Sequence, residues 1–270
     1  MANNDQLREL CTTVRRDIVE MTAAAGSGHP GGSLSAVELV VGLYFHAMRH
    51  DPANPDWLDR DRFILSKGHA CPVLYSVLAR SGYFPADELK TLRKFGSRLQ
   101  GHPNMLLLPG LDSSSGSLGQ GLSISNGLAI AARLDRKDHR IYCLLGDGEI
   151  QEGQVWEAAM SSAHYRLDNV CAILDYNNLQ IDGCCDDVMC IAPVADKWQA
   201  FGWNVIEVDG HNMDEILAAY DQAASVKCQP TIIIARTIKG KGVSFMEDVA
   251  EWHGKAPNAA ELAAALRELA

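Results

Sequence analysis

Four short apolar runs, separated by segments with helical periodicity, constrain the fold of this 270-residue chain more than any other feature. They span residues 141–145, 170–174, 205–208 and 231–234. Runs of this length that alternate with helices are typical of parallel strands buried on both faces. We therefore predict an α/β fold in which a parallel β-sheet is covered by helices on both faces.

The rest of the chain is predicted to be mostly helical. The predicted elements are a helix over 5–25, a second over 34–48, a short strand over 63–65, a helix ending near Leu78, a helix starting near Pro85, a helix over 122–134 and a last helix that begins at Asn258. Glu261 lies three residues after Asn258, as in a capping box. Because no linker or repeat interrupts this pattern, we predict a single domain over residues 1–270.

The composition excludes several classes of protein. The 34 acidic and 24 basic residues give a formal charge of −10, which argues against a nucleic-acid partner. The N-terminus lacks the basic and apolar regions of a signal peptide, and the apolar stretch around Val40 contains Glu38 and His46. We therefore expect no membrane partner and a cytoplasmic location.

Two other sequence patterns leave alternatives open. Eight cysteines are scattered without a C-x-x-C pair, which favours reduced structural thiols, although Cys184, Cys185 and Cys190 could hold a metal ion. The segment from Gly26 to Gly31 has the spacing of a dinucleotide-binding loop. That motif requires a preceding strand, and this segment follows a predicted helix, so the NAD-binding interpretation is weak.

Polar residues follow two of the predicted strands at the point where each ends. Asp147 directly follows the run 141–145, and Asn177 follows the run 170–174. An Asp-Gly pair after a strand is usually only a turn. Two such strand ends, however, meet at one edge of a parallel sheet, where α/β proteins bind ligands. Carboxylate and amide oxygens suit Mg²⁺ that also binds phosphate oxygens.

Gly146-Asp147-Gly148 followed by Asn177-Asn178 resembles the diphosphate-binding motif of thiamine diphosphate enzymes, and the surrounding segments resemble transketolases in particular. Those segments, in chain order, are Gly26-Ser27-Gly28-His29-Pro30-Gly31, Ser66-Lys67-Gly68-His69-Ala70, Gly101-His102-Pro103, Gly116-Ser117-Leu118-Gly119-Gln120-Gly121, Glu152-Gly153, Ile181-Asp182-Gly183, Lys239-Gly240-Lys241-Gly242 and Trp252-His253-Gly254-Lys255. Ser117 departs from the pattern, because many family members have proline there, which should change loop stiffness more than chemistry.

The resemblance implies a fold that binds thiamine diphosphate together with Mg²⁺ or Ca²⁺. It assigns the metal to Asp147, Asn177 and the backbone carbonyl of Leu179. The residues that it assigns to the cofactor are His69, Gly116, Ser117, Leu118, Gly148, Glu149, Asn177, Ile181, Lys239 and His253. The residues that it assigns to catalysis are His29, His69, His102, His253 and Glu152.

The implied reaction transfers a two-carbon ketol unit from a ketose phosphate to an aldose phosphate, with the cofactor as electron sink. Imidazoles suit the proton transfers at sugar hydroxyls near neutral pH. We expect His29 and His253 to handle the proton of the C3 hydroxyl and His102 to orient the donor sugar. Glu152 would belong to a carboxylate pair that links two cofactors across a subunit interface.

Enzymes of this family are commonly much longer than this chain, and the glutamate that activates their cofactor lies in a further domain. We therefore expect the N-terminal subunit of a split transketolase, active only with a separate C-terminal subunit, in a heterotetramer of two such pairs. A truncated chain, a ketol transferase for a branched or sulfonated sugar and a non-catalytic subunit remain the alternatives.

Overall fold

The computed structural model describes residues 3–270 of the chain. Its α-helices are α1 (Asn4–Ala25), α2 (Pro30–Leu34), α3 (Val37–Gly42), α4 (Cys71–Ser81), α5 (Gln120–Leu134), α6 (Gly153–His164), α7 (Cys185–Met189), α8 (Val194–Ala200), α9 (Met213–Ser225) and α10 (Ala259–Glu268). Its strands are β1 (Arg62–Leu65), β2 (Ile141–Gly146), β3 (Val170–Tyr176), β4 (Leu179–Gln180), β5 (Gly183–Cys184), β6 (Asn204–Asp209) and β7 (Thr231–Arg236).

Five of these strands form one parallel sheet in the spatial order β1-β2-β3-β7-β6. Each of the four apolar runs lies in one of its strands, and the strand predicted over 63–65 is β1. The prediction of an α/β fold with a parallel sheet is therefore confirmed. The sequence did not predict the small antiparallel hairpin of β4 and β5, which pairs Leu179 with Cys184.

Helices cover both faces of the sheet, as predicted. Successive strand residues point to opposite faces. On β3, Cys171 and Ile173 belong to the core packed against α1, α3, α4 and α9. Ala172 and Leu174 of the same strand belong to the opposite core, packed against α5, α6 and α8. The strands are consequently apolar throughout, which is why they read as continuous hydrophobic runs.

Two predicted helices differ from the structure. The single helix predicted over 34–48 is wrong: α2 ends at Leu34, α3 follows, and Leu43–Ala47 is a π-helical turn. The hydroxyl of Ser35 donates a hydrogen bond to the carbonyl of Gly32 (3.2 Å), and such side-chain bonds to the preceding turn interrupt helices. The helix predicted near Pro85 is only the 3₁₀ segment Ala86–Thr91.

The first and the last helix each begin with a capping box. In α10, the side chain of Asn258 accepts from the backbone of Glu261 (3.0 Å), and the Glu261 carboxylate accepts from the backbone of Asn258 (2.8 Å), as predicted. Asn3 and Gln6 form the same arrangement at α1. Among residues 3–270, none of the helices is both long enough and apolar enough to cross a membrane.

The buried strand residue Ile234 offers a test of the core. Its side chain is fully buried between β7 and the helices of one face. We expect Ile234→Ala to lower the free energy of unfolding by about 2–5 kcal/mol, because the truncation leaves a cavity. The same substitution at Ile181, which is 70% exposed, should change it by less than about 0.5 kcal/mol. Denaturant unfolding measures both, and equal effects would contradict the assigned burial.

Candidate active site

The carboxyl ends of the strands bring the predicted site residues together. Gly146 at the end of β2 pairs with Asp175 of β3, so Asp147 and Asn177 emerge side by side. Lys239 follows β7 at the same edge, since β7 pairs with β3 up to Arg236. Residues distant in sequence thus meet because their strands are parallel neighbours.

A cavity of about 280 Å³ opens at this edge. The sequence-predicted residues that line it are His29, His69, Gly116, Leu118, Asp147, Gly148, Glu149, Asn177, Leu179, Ile181, Lys239 and His253. His102, Ser117 and Glu152 do not line it. His102 and Ser117 are exposed beside the cavity mouth, and Glu152 is exposed at the N-cap of α6.

Asp147 is a buried carboxylate whose charge is only partly compensated. It accepts hydrogen bonds from the backbone N–H of Gly148 (2.7 Å) and of Asn178. Burial, followed by the nearby Asp175 carboxylate, raises the pKa of Asp147 to about 6. A bound cation would lower the pKa of Asp147 again, because a positive charge favours the ionised carboxylate.

Lys239 is a cation whose charge acts on that carboxylate. Its side chain is buried, and Nζ donates to the carbonyl of Leu179 (2.8 Å) and contacts Nδ1 of His253 (3.0 Å). Burial lowers the pKa of Lys239 to about 8, although Asp147 opposes the shift. The ammonium group therefore lies at one of the oxygens that the resemblance assigns to a metal ion.

Four histidines form a cluster at the cavity that Asp147 and Lys239 line. The ring centroids of His29, His69 and His253 are 5.1–5.5 Å apart, and His102 lies 6.5 Å from His29. They come from the N-cap of α2, the segment before α4, the loop after Gly101 and the 3₁₀ segment Ala250–His253. Such a cluster offers several adjacent groups that can accept or donate protons.

The histidines are held in the neutral form. Burial is the main cause, and it lowers the pKa of His29 to about 4, of His69 to about 2 and of His253 to about 3. Neighbouring cations act in the same direction, Arg93 on His29 and Lys239 on His253. Neutral imidazoles can act as hydrogen-bond acceptors and bases.

Glu149 lies against the cavity, but its carboxylate is engaged by the protein itself. It accepts from the hydroxyl of Ser66 and from the backbone N–H groups of Gly119 (2.9 Å) and Gly146 (3.0 Å). Burial raises its pKa. Its visible role is to join the ends of β1 and β2 to the start of α5; contact with the cofactor remains a prediction.

Several residues of the site have no role predicted from the sequence. Gly32, Lys67, Gly146, Gln180 and Asp182 also line the cavity, and Arg93 reaches Nδ1 of His29 (3.4 Å) from outside it. Lys67 forms a buried ion pair with Asp175. The available signal was Asp175, which directly follows the apolar run 170–174, since charged residues are rarely fully buried without a partner.

The residues present fit a diphosphate with a divalent cation. The Nε2 amide of Gln180 is a buried donor without a hydrogen-bond partner among the described residues, and it borders the cavity. A Cβ atom on Gly148 would lie 3.1 Å from Oε1 of Gln180, so glycine keeps this approach open. The oxygens of Asp147, Asn177 and Leu179 are the hard donors that Mg²⁺ and Ca²⁺ bind.

The two alternative binding motifs find no support. Gly26 follows α1 and not a strand, as the sequence predicted. Burial raises the pKa of Cys185 to about 12, so its thiol stays protonated. In the described part of the chain, no three His, Cys, Asp or Glu side chains are grouped so that they could hold a metal ion. A metal ion at Asp147 would therefore need amide, carbonyl and phosphate oxygens as its other ligands.

A cavity at the carboxyl edge of a parallel sheet is typical of α/β proteins that bind a ligand there. The family model described as "Transketolase, thiamine diphosphate binding domain" matches residues 7–270. The chain therefore belongs to the transketolase family, and the resemblance seen in the sequence is confirmed.

The curated relatives include separate subunits of nearly the same length. The chain is 47% identical over 241 residues to the 6-deoxy-6-sulfo-D-fructose transketolase subunit SqwG of Clostridium sp., covering 89% of this chain and 88% of the relative. It is 42% identical over 255 residues to one subunit of the apulose-4-phosphate transketolase of Phocaeicola vulgatus, covering 94% of this chain and 90% of that subunit.

Longer transketolases match over only part of their length. The human enzyme is 45% identical over 253 residues, which are 92% of this chain and 40% of the enzyme. The crystal structure of transketolase from Campylobacter jejuni superimposes with a TM-score of 0.94 at 35% identity, covering 99% of this chain and 43% of that one. The chain thus spans about 40% of these single-chain enzymes.

The neutral histidines predict a pH dependence of stability. Below the ordinary pKa of 6.5, the unfolded chain takes up a proton at His69, whereas the folded chain does not. The free energy of unfolding should therefore fall with pH below 6.5, by about 1.4 kcal/mol per pH unit for His69. Asp147 acts in the opposite direction, because its pKa is raised. The measurement that isolates His69 is therefore the difference in this pH slope between the unsubstituted chain and a variant.

We expect His69→Gln to reduce this slope, measured by denaturant unfolding between about pH 7 and about pH 5. His164→Gln removes an exposed histidine and serves as the control, with an unchanged slope. An identical slope for His69→Gln and the unsubstituted chain would contradict the assigned neutral state of His69.

Proposed function

We propose that this chain is the N-terminal subunit of a two-chain transketolase that binds thiamine diphosphate and transfers a two-carbon ketol unit from a ketose phosphate to an aldose phosphate. The observation that carries the proposal is the clustering of His29, His69 and His253 in the cavity that Asp147 lines, with His102 beside its mouth. A diphosphate site alone would not need four clustered imidazoles. Sugar substrates, with several hydroxyls to bind and deprotonate, do.

Different residues of this chain would bind the metal ion and the cofactor. Asp147, Asn177 and the carbonyl of Leu179 would bind Mg²⁺ or Ca²⁺, and His69, His253, Gly148 and Lys239 would contact the diphosphate. The remaining cofactor residues are Gly116, Ser117, Leu118, Glu149 and Ile181. When bound, thiamine diphosphate supplies the carbon nucleophile and the positively charged ring that stabilises the electron pair released from a carbon–carbon bond.

The histidines would handle the sugar. Nδ1 of His29 contacts Arg93 and Nδ1 of His253 contacts Lys239, so each ring is oriented by a cation. Because Nδ1 accepts from that cation, the neutral ring carries its proton on Nε2, which can donate to a substrate hydroxyl. We assign the C3 hydroxyl proton to these two rings, each of which can act as a base only after its Nδ1 has released the cation. The exposed His102 would orient the donor sugar at the mouth.

A separate C-terminal subunit would complete the site. The matched subunits are nearly as long as this chain, whereas the single-chain enzymes are much longer. Ile181 lines the cavity and is nevertheless 70% exposed, so an apolar wall is open to a covering polypeptide. We propose a heterotetramer of two subunit pairs, in which the exposed Glu152 joins the carboxylate pair between cofactors.

The substrate class has a second candidate. Two relatives carry names with unusual sugars, a sulfonated fructose and apulose 4-phosphate. A donor of either kind would use the same histidines at its ketol end and differ at its far end.

The eight free cysteines support the cytoplasmic location that the sequence predicts, because reducing compartments keep thiols reduced.

Calorimetry tests the proposal directly. We would titrate thiamine diphosphate with Mg²⁺ into this chain alone and into a mixture with the C-terminal subunit encoded nearest to it. Tight binding and ketol transfer are expected only in the mixture, and Asp147→Ala should abolish both. Turnover by the lone chain would contradict the two-chain proposal. Absence of binding in both samples would contradict the proposed cofactor.

The role of His29 is tested separately. In the two-chain enzyme, His29→Ala should lower kcat about 10²- to 10⁴-fold, the usual contribution of a general acid–base group. The affinity for thiamine diphosphate should change little, because the substitution leaves the Asp147 edge intact. His164→Ala is the matched surface control and should keep full activity. Loss of cofactor affinity with unchanged kcat would contradict the assigned role.

A panel of sugars with normal, branched and sulfonated far ends identifies the donor.

A further inference from the structure

A buried ionic cluster lies outside the cavity, beneath the loop that carries Lys239. Arg15 of α1, Glu38 of α3 and His211 of the β6–α9 connection form it. Arg15 donates to Oε1 of Glu38 (2.5 Å), and Oε2 of the same carboxylate contacts Nδ1 of His211 (3.1 Å). The three side chains are about one-tenth exposed. Nothing in the proposed reaction uses them.

The cluster forms hydrogen bonds to the loop backbone on both sides of Lys239. We call residues 238–241 the Lys239 loop. Nε2 of His211 accepts a hydrogen bond from the backbone N–H of Ile238 (2.8 Å), and Nε of Arg15 donates to the carbonyl of Lys241 (3.0 Å). Since β7 ends at Arg236, the sheet ladder does not hold this loop. Other contacts that hold this loop include the hydrogen bond from Gly240 N–H to the carbonyl of Gly31 (3.0 Å) and the ion pair between Lys241 and Glu247 (3.4 Å).

The hydrogen bonds fix the chemical state of His211. Because Nε2 accepts from a backbone N–H, it carries no proton, so the proton of the neutral ring is on Nδ1 and points to Glu38. Although burial opposes ionisation of Glu38, the His211 hydrogen bond and Arg15 outweigh it and lower the pKa of that carboxyl group. The ionised carboxylate therefore selects the tautomer that can hold Ile238.

The geometry points to a positioning role: we propose that Arg15, Glu38 and His211 set the position of the Lys239 ammonium group for the diphosphate. Lys239 Nζ lies between Leu179 and His253, so the position of the loop backbone decides which groups of the cavity the ammonium group can reach. The proposal rests on the proposed function, in which Lys239 contacts the diphosphate.

Two substitutions of His211 separate its two hydrogen bonds. In His211→Gln, the side-chain oxygen can replace Nε2 as the acceptor for Ile238. In His211→Asn, the shorter amide can still face Glu38 but does not reach Ile238. We expect His211→Asn to weaken thiamine diphosphate binding by the two-chain enzyme about tenfold, the usual effect of a lost buried acceptor. His211→Gln should restore most of the affinity.

A double-mutant cycle with Lys239→Met shows whether the effect passes through Lys239. If the cluster acts by positioning Lys239, His211→Asn should have little further effect in the Lys239→Met background. Unchanged affinity for His211→Asn, or full additivity with Lys239→Met, would overturn the inference. If Lys239→Met itself leaves affinity unchanged, the proposed contact with the diphosphate fails instead. Should His211→Asn not fold, Glu38→Gln replaces it with a nearly isosteric change.

Amide hydrogen exchange decides the structural part without activity. In the full chain, His211→Asn should speed exchange at the Ile238 amide at least about tenfold, because its acceptor is lost. His46→Asn is the control, since His46 pairs with Asp221 at the surface and should leave that amide unchanged. Equal protection of Ile238 in the unsubstituted chain and in His211→Asn would overturn the proposed hold on the loop, whatever the binding data show.

Discussion

The buried ion pair between Lys67 and Asp175 is the interaction on which the site depends. Asp175 is fully buried at the end of β3, and it accepts hydrogen bonds from Lys67, from Ser35 (2.6 Å), from Thr237 and from Asn177 (3.3 Å). A buried carboxylate is costly unless all of its lone pairs are satisfied. One side chain thereby ties β1, β7 and the segment after α2 to β3.

That arrangement also decides where the site's polar groups point. The amide nitrogen of Asn177 is turned toward Asp175, so its oxygen faces the other way, where it accepts from the backbone of Leu179 (3.1 Å). Lys67 further donates to the carbonyl of Gly32 (2.8 Å), which fixes the helix that His29 caps. The histidine cluster and the Asp147 edge are thus connected through one charge pair.

Much of this could be predicted from the sequence, and the failures have physical causes. The strands were clear because burial on both faces makes them continuously apolar, and Asp147 and Asn177 were found because they follow such strands directly. The division of the helix predicted over 34–48 depends on the Ser35 hydroxyl and on Asp175, 140 residues away. Lys67 has no local signal that distinguishes a buried lysine from an exposed one, and the cluster around His211 joins three elements that no spacing rule relates.

The contact between Lys239 and the Leu179 carbonyl affects the charge balance at Asp147 before any metal ion binds. The chain carries its own temporary counterion: an ammonium group occupies an oxygen proposed for a metal and partly neutralises Asp147. Lys239 therefore already balances part of the negative charge at this edge within the chain itself. A metal ion bound as we propose would exchange with this ammonium group at the Leu179 carbonyl, and would not enter a site of uncompensated negative charge.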